Sequence, residues 1–135
     1  MVEIEGTYEG DLRCRAVHGP SGAEIPTDAP KDHEGLGRSF SPTDLVATAL
    51  ATCVVTILGI VARRRGLSIE GARYRVTKEM VADPKRRIGR LALTITLPAT
   101  LATRDRRALE AAGNACPVKQ SLDPRTEVPI EYRYE

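Results

Sequence analysis

Residues 41–66 read SPTDLVATALATCVVTILGIVARRRG, and this stretch decides the fold. Ser41 puts a hydroxyl at the N-cap, Pro42 takes the first helical position, and Asp44 stands three residues after the cap. The arrangement is close to a capping box, and the acid also faces the positive end of the helix dipole. Leu45 to Ala62 is a run of 18 residues without a charge. Such a run touches the lower limit for a membrane span. It is diluted by Thr48, Thr52, Thr56 and several alanines, and no second segment resembles it. A membrane crossing is therefore not expected. A helix apolar on all sides is instead read as the central helix of a protein core. Arg63, Arg64 and Arg65 suit the negative C-terminal end, and Gly66 suits the stop.

Working outward, residues 2–18 read as one strand, with Val2, Ile4, Tyr8, Leu12, Cys14 and Ala16 at rough period two. His18 to Gly22 is a turn cluster, and Ala23 to Asp28 returns as a second strand. Ala29 to Phe40, with Pro30, Gly35 and Gly37, reads as a long loop, a kind that tends to be functional or mobile. Beyond the helix, Leu67 to Val81 and Arg87 to Leu97 read as strands around a turn at Asp83-Pro84-Lys85. Leu91, Leu93, Ile95 and Leu97 alternate with smaller residues. Arg104 to Ala115 is a second helix, Pro117 opens a short helical piece reaching Leu122, and Val128 to Tyr134 is a last strand. The order implies an α+β fold with antiparallel hairpins rather than a βαβ repeat.

The chain has 135 residues and 14.7 kDa, so a single domain over residues 1–135 is expected. Lys plus Arg number 20 against 18 acids, a net charge of +2, which argues against a dedicated nucleic-acid binder. With no Trp, one Phe and four Tyr, few rings are present to stack bases. The opening MVEIEGTYEGDLRC has neither a basic nor an apolar region and does not read as a secretory signal. Three cysteines, an odd number, suggest reduced thiols and a cytoplasmic protein rather than a disulfide framework. Their spacing fits no zinc pattern; only His18 and His33 could join them, and no metal or other cofactor is expected. A helix apolar all round is hard to cover with one small sheet. A second subunit, in a homodimer, would solve that problem.

Chemistry centres on the thiols. Cys116 precedes Pro117, so it falls at or near the N-cap of a new helical turn, where backbone N–H groups favour a thiolate. Cys53, in mid-helix, would need a cation from elsewhere in the fold. From the residues alone both read first as inert core residues, since free Cys is among the most buried residue types. Cys14 reads as inert, on the apolar strand face with Leu12 and Ala16, while Arg13 and Arg15 take the opposite face.

The segment from Ser41 through Pro42, Thr43, Asp44 and the Ala-rich run to Cys53 resembles the first signature of the OsmC/Ohr family, the osmotically induced and organic hydroperoxide resistance proteins. Cys116-Pro117-Val118-Lys119-Gln120-Ser121-Leu122 resembles the second. The resemblance covers nearly the whole chain. It implies antiparallel sheets wrapped around two long central helices in an intertwined homodimer with active sites at the interface. It further implies thiol-dependent reduction of organic hydroperoxides, with Cys53 peroxidatic, Cys116 resolving, and a small or protein dithiol restoring both.

The family's hydroperoxide reductases use an Arg near the first hairpin, held by a Glu directly after the helix-start Pro. Here Thr43 takes that position and the acid is Asp44, as in other branches. Asp44 lies nine residues before Cys53, roughly 13 Å along the axis and about half a turn around it. It cannot serve that thiol directly, and it can equally be a cap alone. Arg13, Arg15 and Arg38 are the candidate arginines, each with a surface role as the alternative. The basic runs at 63–65, 85–87 and 104–107 read as solvated ends. Thr48, Thr52 and Thr56 read as hydroxyls bonded to their own preceding turn. A non-catalytic dimer of the same fold, binding an apolar ligand or sensing oxidation, is the rival reading.

Overall fold

A computed structural model describes all residues, Met1–Glu135. The chain divides into two compact units, Met1–Val46 and Ala47–Glu135. In the first unit, β1 (Ile4–Gly10), β2 (Arg13–His18) and β3 (Glu24–Asp28) form an antiparallel sheet in that order. The single strand expected over 2–18 is thus a hairpin. Asp11 (φ 54°) and Leu12 (φ 61°) both take the left-handed region, as a two-residue turn matched to strand twist requires. The Leu12 N–H donates to the Tyr8 hydroxyl at 3.3 Å, which supports a residue that rarely adopts this conformation. The second turn falls where expected: the Gly22 N–H donates to His18 O at 2.7 Å, and the His18 ring meets the Ser21 hydroxyl at 2.6 Å.

The 29–40 segment is closed on itself. Asp28 N–H donates to Phe40 O at 3.1 Å across its base, and Gly37 N–H to Ala29 O at 3.1 Å. Gly35 lies so close to Ala29 that a Cβ there would overlap the Ala29 carbonyl. A one-turn 3₁₀ helix, Lys31–His33, occupies the loop.

Helix α1 runs Pro42–Arg64, 23 residues. Its start is a reciprocal capping box: Ser41 N–H donates to Asp44 Oδ2 at 2.9 Å and Asp44 N–H to Ser41 Oγ at 3.1 Å. Ala47, Leu50, Ala51, Val54, Leu58 and Ala62 are buried at three- and four-residue spacing. Ala49, Thr52, Thr56 and Ile60 are exposed along another face. A helix covered all round was expected; within this chain one face is covered. Freedom from charge shows that a face tolerates burial, not that something covers it.

The second unit holds β4 (Arg73–Val81), β5 (Arg87–Leu97), α2 (Thr103–Gly113), α3 (Pro117–Gln120) and β6 (Ile130–Tyr134). β4 and β5 pair antiparallel, as the hairpin reading has it. β6 pairs parallel with β5, Leu93 opposite Ile130 and Leu97 opposite Tyr134. That corrects the expectation of antiparallel sheets throughout. Alternation reports a half-buried strand but not its direction, and residues 98–129 supply the long crossover a parallel neighbour needs. Leu91, Leu93, Ile95 and Leu97 are buried, as are Leu109 and the inner face of α1. Each such side chain contributes about 1.5–3 kcal/mol by leaving water. Of the two helices, α1 is long and α2 spans 11 residues. The fold is α+β, with one antiparallel and one mixed three-stranded sheet.

Candidate functional site

Cys53 sits midway along α1 and is half-buried; Cys116 is fully buried at the junction of α2 and α3. α2 ends at Gly113, and Pro117 opens α3, which leaves Cys116 as the N-cap, extended at φ −61°, ψ 145°. Its Sγ accepts the Lys119 N–H at 3.3 Å. This is the cap expected from Pro117. Although 63 positions separate them, Cys53 lies near enough to Cys116 to act on its thiol electrostatically.

The electrostatic outcome reverses the expectation of a lowered Cys116 pKa. Burial pushes the thiol above its ordinary value. The Lys119 N–H pulls it down, the Cys53 hydrogen bond and charge push it up again, and the Val118 N–H opposes weakly. A one-turn helix offers two N–H groups; withdrawal from water outweighs them. Cys116 therefore holds its proton at neutral pH.

Strand β6 brings to the end of α2 residues that the sequence reading passed over. The Tyr132 hydroxyl donates to Asn114 Oδ1 at 3.2 Å and approaches Glu110 O at 3.5 Å. Its pKa is pushed up to about 12, by burial first and then by the charges of Glu110 and Cys116. The Tyr134 hydroxyl donates to Glu110 Oε1 at 2.5 Å, and Arg106 stacks 4.1 Å above its ring. The signal for both tyrosines was the alternation of Ile130, Tyr132 and Tyr134, which share the half-buried face of β6.

The remaining candidates, Thr43, Asp44 and the three arginines, belong to the Met1–Val46 unit. Asp44 serves the capping box, and Thr43 Oγ1 lies 3.2 Å from Ser41 Oγ. Arg15 is exposed and pairs with Glu24 at 2.8 Å and Glu9 at 3.5 Å. Arg38 binds Asp28, Nε to Oδ2 at 2.7 Å, and reaches Asp11 at 3.2 Å. Asp28 is fully buried and its carboxyl is held down at about 2, chiefly by the Arg38 guanidinium and then by the Arg38 backbone N–H, against the opposing effect of burial. Arg13 pairs with Asp28 across the β2–β3 ladder, and its Nε is buried without a hydrogen-bond partner. Cys14 is exposed, contrary to expectation: alternation places residues on one face without showing that the face is covered.

The basic runs are partly engaged locally. Arg65 binds Asp105 at 2.8 Å, Arg87 donates to Asp83 O at 3.2 Å, and Arg106 donates to Ala99 O at 2.7 Å and Leu101 O at 2.8 Å. Thr52 Oγ1 donates to Thr48 O at 2.8 Å, the back-bonding read from the threonine stripe.

Among curated proteins none matches the chain. Solved structures do. A proposed osmotic stress induced and detoxification response protein from Psychrobacter arcticus 273-4 is 42% identical, with TM-score 0.91 over 98% of this chain and 96% of that one. An organic hydroperoxide resistance protein OsmC from Legionella pneumophila is 17% identical, TM-score 0.78, covering 98% and 96%. The organic hydroperoxide resistance protein OhrB of Bacillus subtilis is 16% identical, TM-score 0.72, covering 98% of both chains. The latter two likenesses show the fold alone. The family described as OsmC-like protein matches residues 34–133, which include both cysteines and most of the elements described above, and the chain belongs to that family.

Proposed function

We propose that the protein is a cytoplasmic, homodimeric thiol peroxidase that reduces organic hydroperoxides through Cys53 and Cys116. The proximity of two thiols that lie 63 positions apart, one acting on the other electrostatically, carries the reading. The Cys53 thiolate attacks the terminal peroxide oxygen; the O–O bond breaks, the alkoxide takes a proton and leaves as alcohol, and Cys53 becomes a sulfenic acid. The Cys116 sulfur then attacks the Cys53 sulfur, and the sulfenic oxygen leaves as water with the Cys116 proton. A small or protein dithiol reduces the resulting disulfide by exchange and is itself oxidised. Of the three candidate arginines, Arg13 is the one whose Nε has no hydrogen-bond partner. We assign the second subunit to the α1 face of Ala49, Thr52, Thr56 and Ile60, which are exposed in the single chain.

The test is a thiol count on reduced protein before and after one equivalent of an alkyl or aryl hydroperoxide, with peptide mapping. Loss of two thiols mapped to Cys53 and Cys116 is expected; three surviving thiols would overturn the reading. The raised Cys116 pKa favours one rival, a sensor of the same fold that oxidises without efficient turnover. Repeated cycling under excess dithiol separates enzyme from sensor.

A further inference from the structure

The resolving thiol is carried on a short junction, Gly113 to Cys116, between two helices. Within that junction Asn114 N–H reaches Glu110 O at 3.0 Å, Ala115 N–H reaches Ala112 O at 3.1 Å and Cys116 N–H reaches Gly113 O at 3.3 Å, while Cys116 O and Sγ accept the Gln120 and Lys119 N–H groups at 3.1 and 3.3 Å. A restraint from outside the two helices comes from β6. Tyr132 projects its hydroxyl against Gly113, where a Cβ would collide with it and would also sit 3.2 Å from both Val54 Cγ1 and Leu58 Cδ2. From that slot the hydroxyl bonds Asn114 Oδ1 at 3.2 Å, two residues before Cys116. Val54 follows Cys53 directly on α1. One phenol therefore touches the segment that carries one thiol and borders the helix turn that carries the other. The influence of a Cys116 charge on the phenol places that thiol in its surroundings as well.

We infer that Tyr132 is a positioning residue for disulfide formation: through Asn114 and Gly113 it holds the Cys116 sulfur in line with Cys53. The inference rests on the peroxidase reading above and adds to it a residue outside both cysteine motifs. Tyr132 takes no part in the first step, the attack of Cys53 on the peroxide. It acts on the second, in which the S–S bond forms and water leaves.

The experiment follows the two steps separately. Cys53 sulfenic acid is trapped with a dione reagent in the Cys116→Ser background, with and without Tyr132→Phe. Disulfide formation is timed in chains that keep both cysteines. Tyr132→Phe is expected to leave trapping unchanged and to slow disulfide formation about fivefold, the scale of one lost hydrogen bond. Asn114→Ala should slow it similarly, and the double variant no further, because both act through one bond. Asn114→Ala also keeps the test alive if Tyr132→Phe folds poorly. Equal disulfide rates in wild type and both variants would overturn the role of Tyr132 alone. A wild-type chain that keeps all three thiols after hydroperoxide would overturn the peroxidase reading beneath it. Equal slowing of both steps would assign Tyr132 a general structural role instead.

Discussion

Asp28 and Arg38, ten residues apart, are joined both side chain to side chain and side chain to backbone: Asp28 Oδ2 accepts the Arg38 Nε–H at 2.7 Å and the Arg38 backbone N–H at 2.9 Å. The pair fastens the 29–40 loop at the point where it returns to α1. Asp28 has no exposed surface, so its carboxylate depends on these donors.

This pairing predicts a pH dependence. The Asp28 pKa in the folded chain is about 2, below the value of about 3.9 for an unfolded Asp. The unfolded state therefore binds the proton first, and the stabilisation is complete above pH ~4 and lost as pH falls through about 2. Thermal melts from pH 6 to 2 should show the wild-type midpoint falling more steeply than that of Asp28→Asn. At pH 7 the variant should melt several degrees lower. Parallel curves would remove the role given to Asp28.

Cys53→Ser should lower peroxide consumption by roughly a thousandfold or more, as loss of a nucleophile does. Cys116→Ser should still consume about one equivalent and then stop at the sulfenic acid. Stopped-flow assays with limiting dithiol read both outcomes.

The raised pKa of Cys116 has its own kinetic signature. The attacking thiol must ionise, so the rate of disulfide formation should climb with pH and keep climbing above the ordinary thiol value of about 8.5. A rate that levels off below pH 8 would contradict the burial argument.

Two stability variants test the packing. Gly113→Ala forces a methyl against the Tyr132 hydroxyl and should cost about 1–3 kcal/mol in urea unfolding. Ser41→Ala removes the hydroxyl that accepts the Asp44 N–H and should cost about 1 kcal/mol.

Much of the fold was legible locally. The cap at Ser41, the uncharged run after it and the Pro117 restart each act within a few residues, and each is found where it was read. The alternation of Leu91 to Leu97 was equally direct. What escaped was non-local. The left-handed Leu12 is held by the Tyr8 hydroxyl, which no turn propensity encodes. The parallel direction of β6 and the pairing of Asp28 with Arg38 depend on how distant segments return. At the thiols the cap was legible, but its electrostatic outcome was not, because burial is a property of the assembled core. Tyr132 was hidden for the same reason.

The parallel pairing of β6 has a consequence for biosynthesis. A hairpin can close as soon as its second strand is made. β6 can join β5 only after the whole intervening crossover has emerged and folded back. A nascent chain that ends between Cys116 and β6 therefore holds both thiols but lacks the strand that bears Tyr132. Whatever geometry β6 gives the two cysteines is thus set only after both hairpins, and chains cut between Cys116 and β6 would carry both thiols without it.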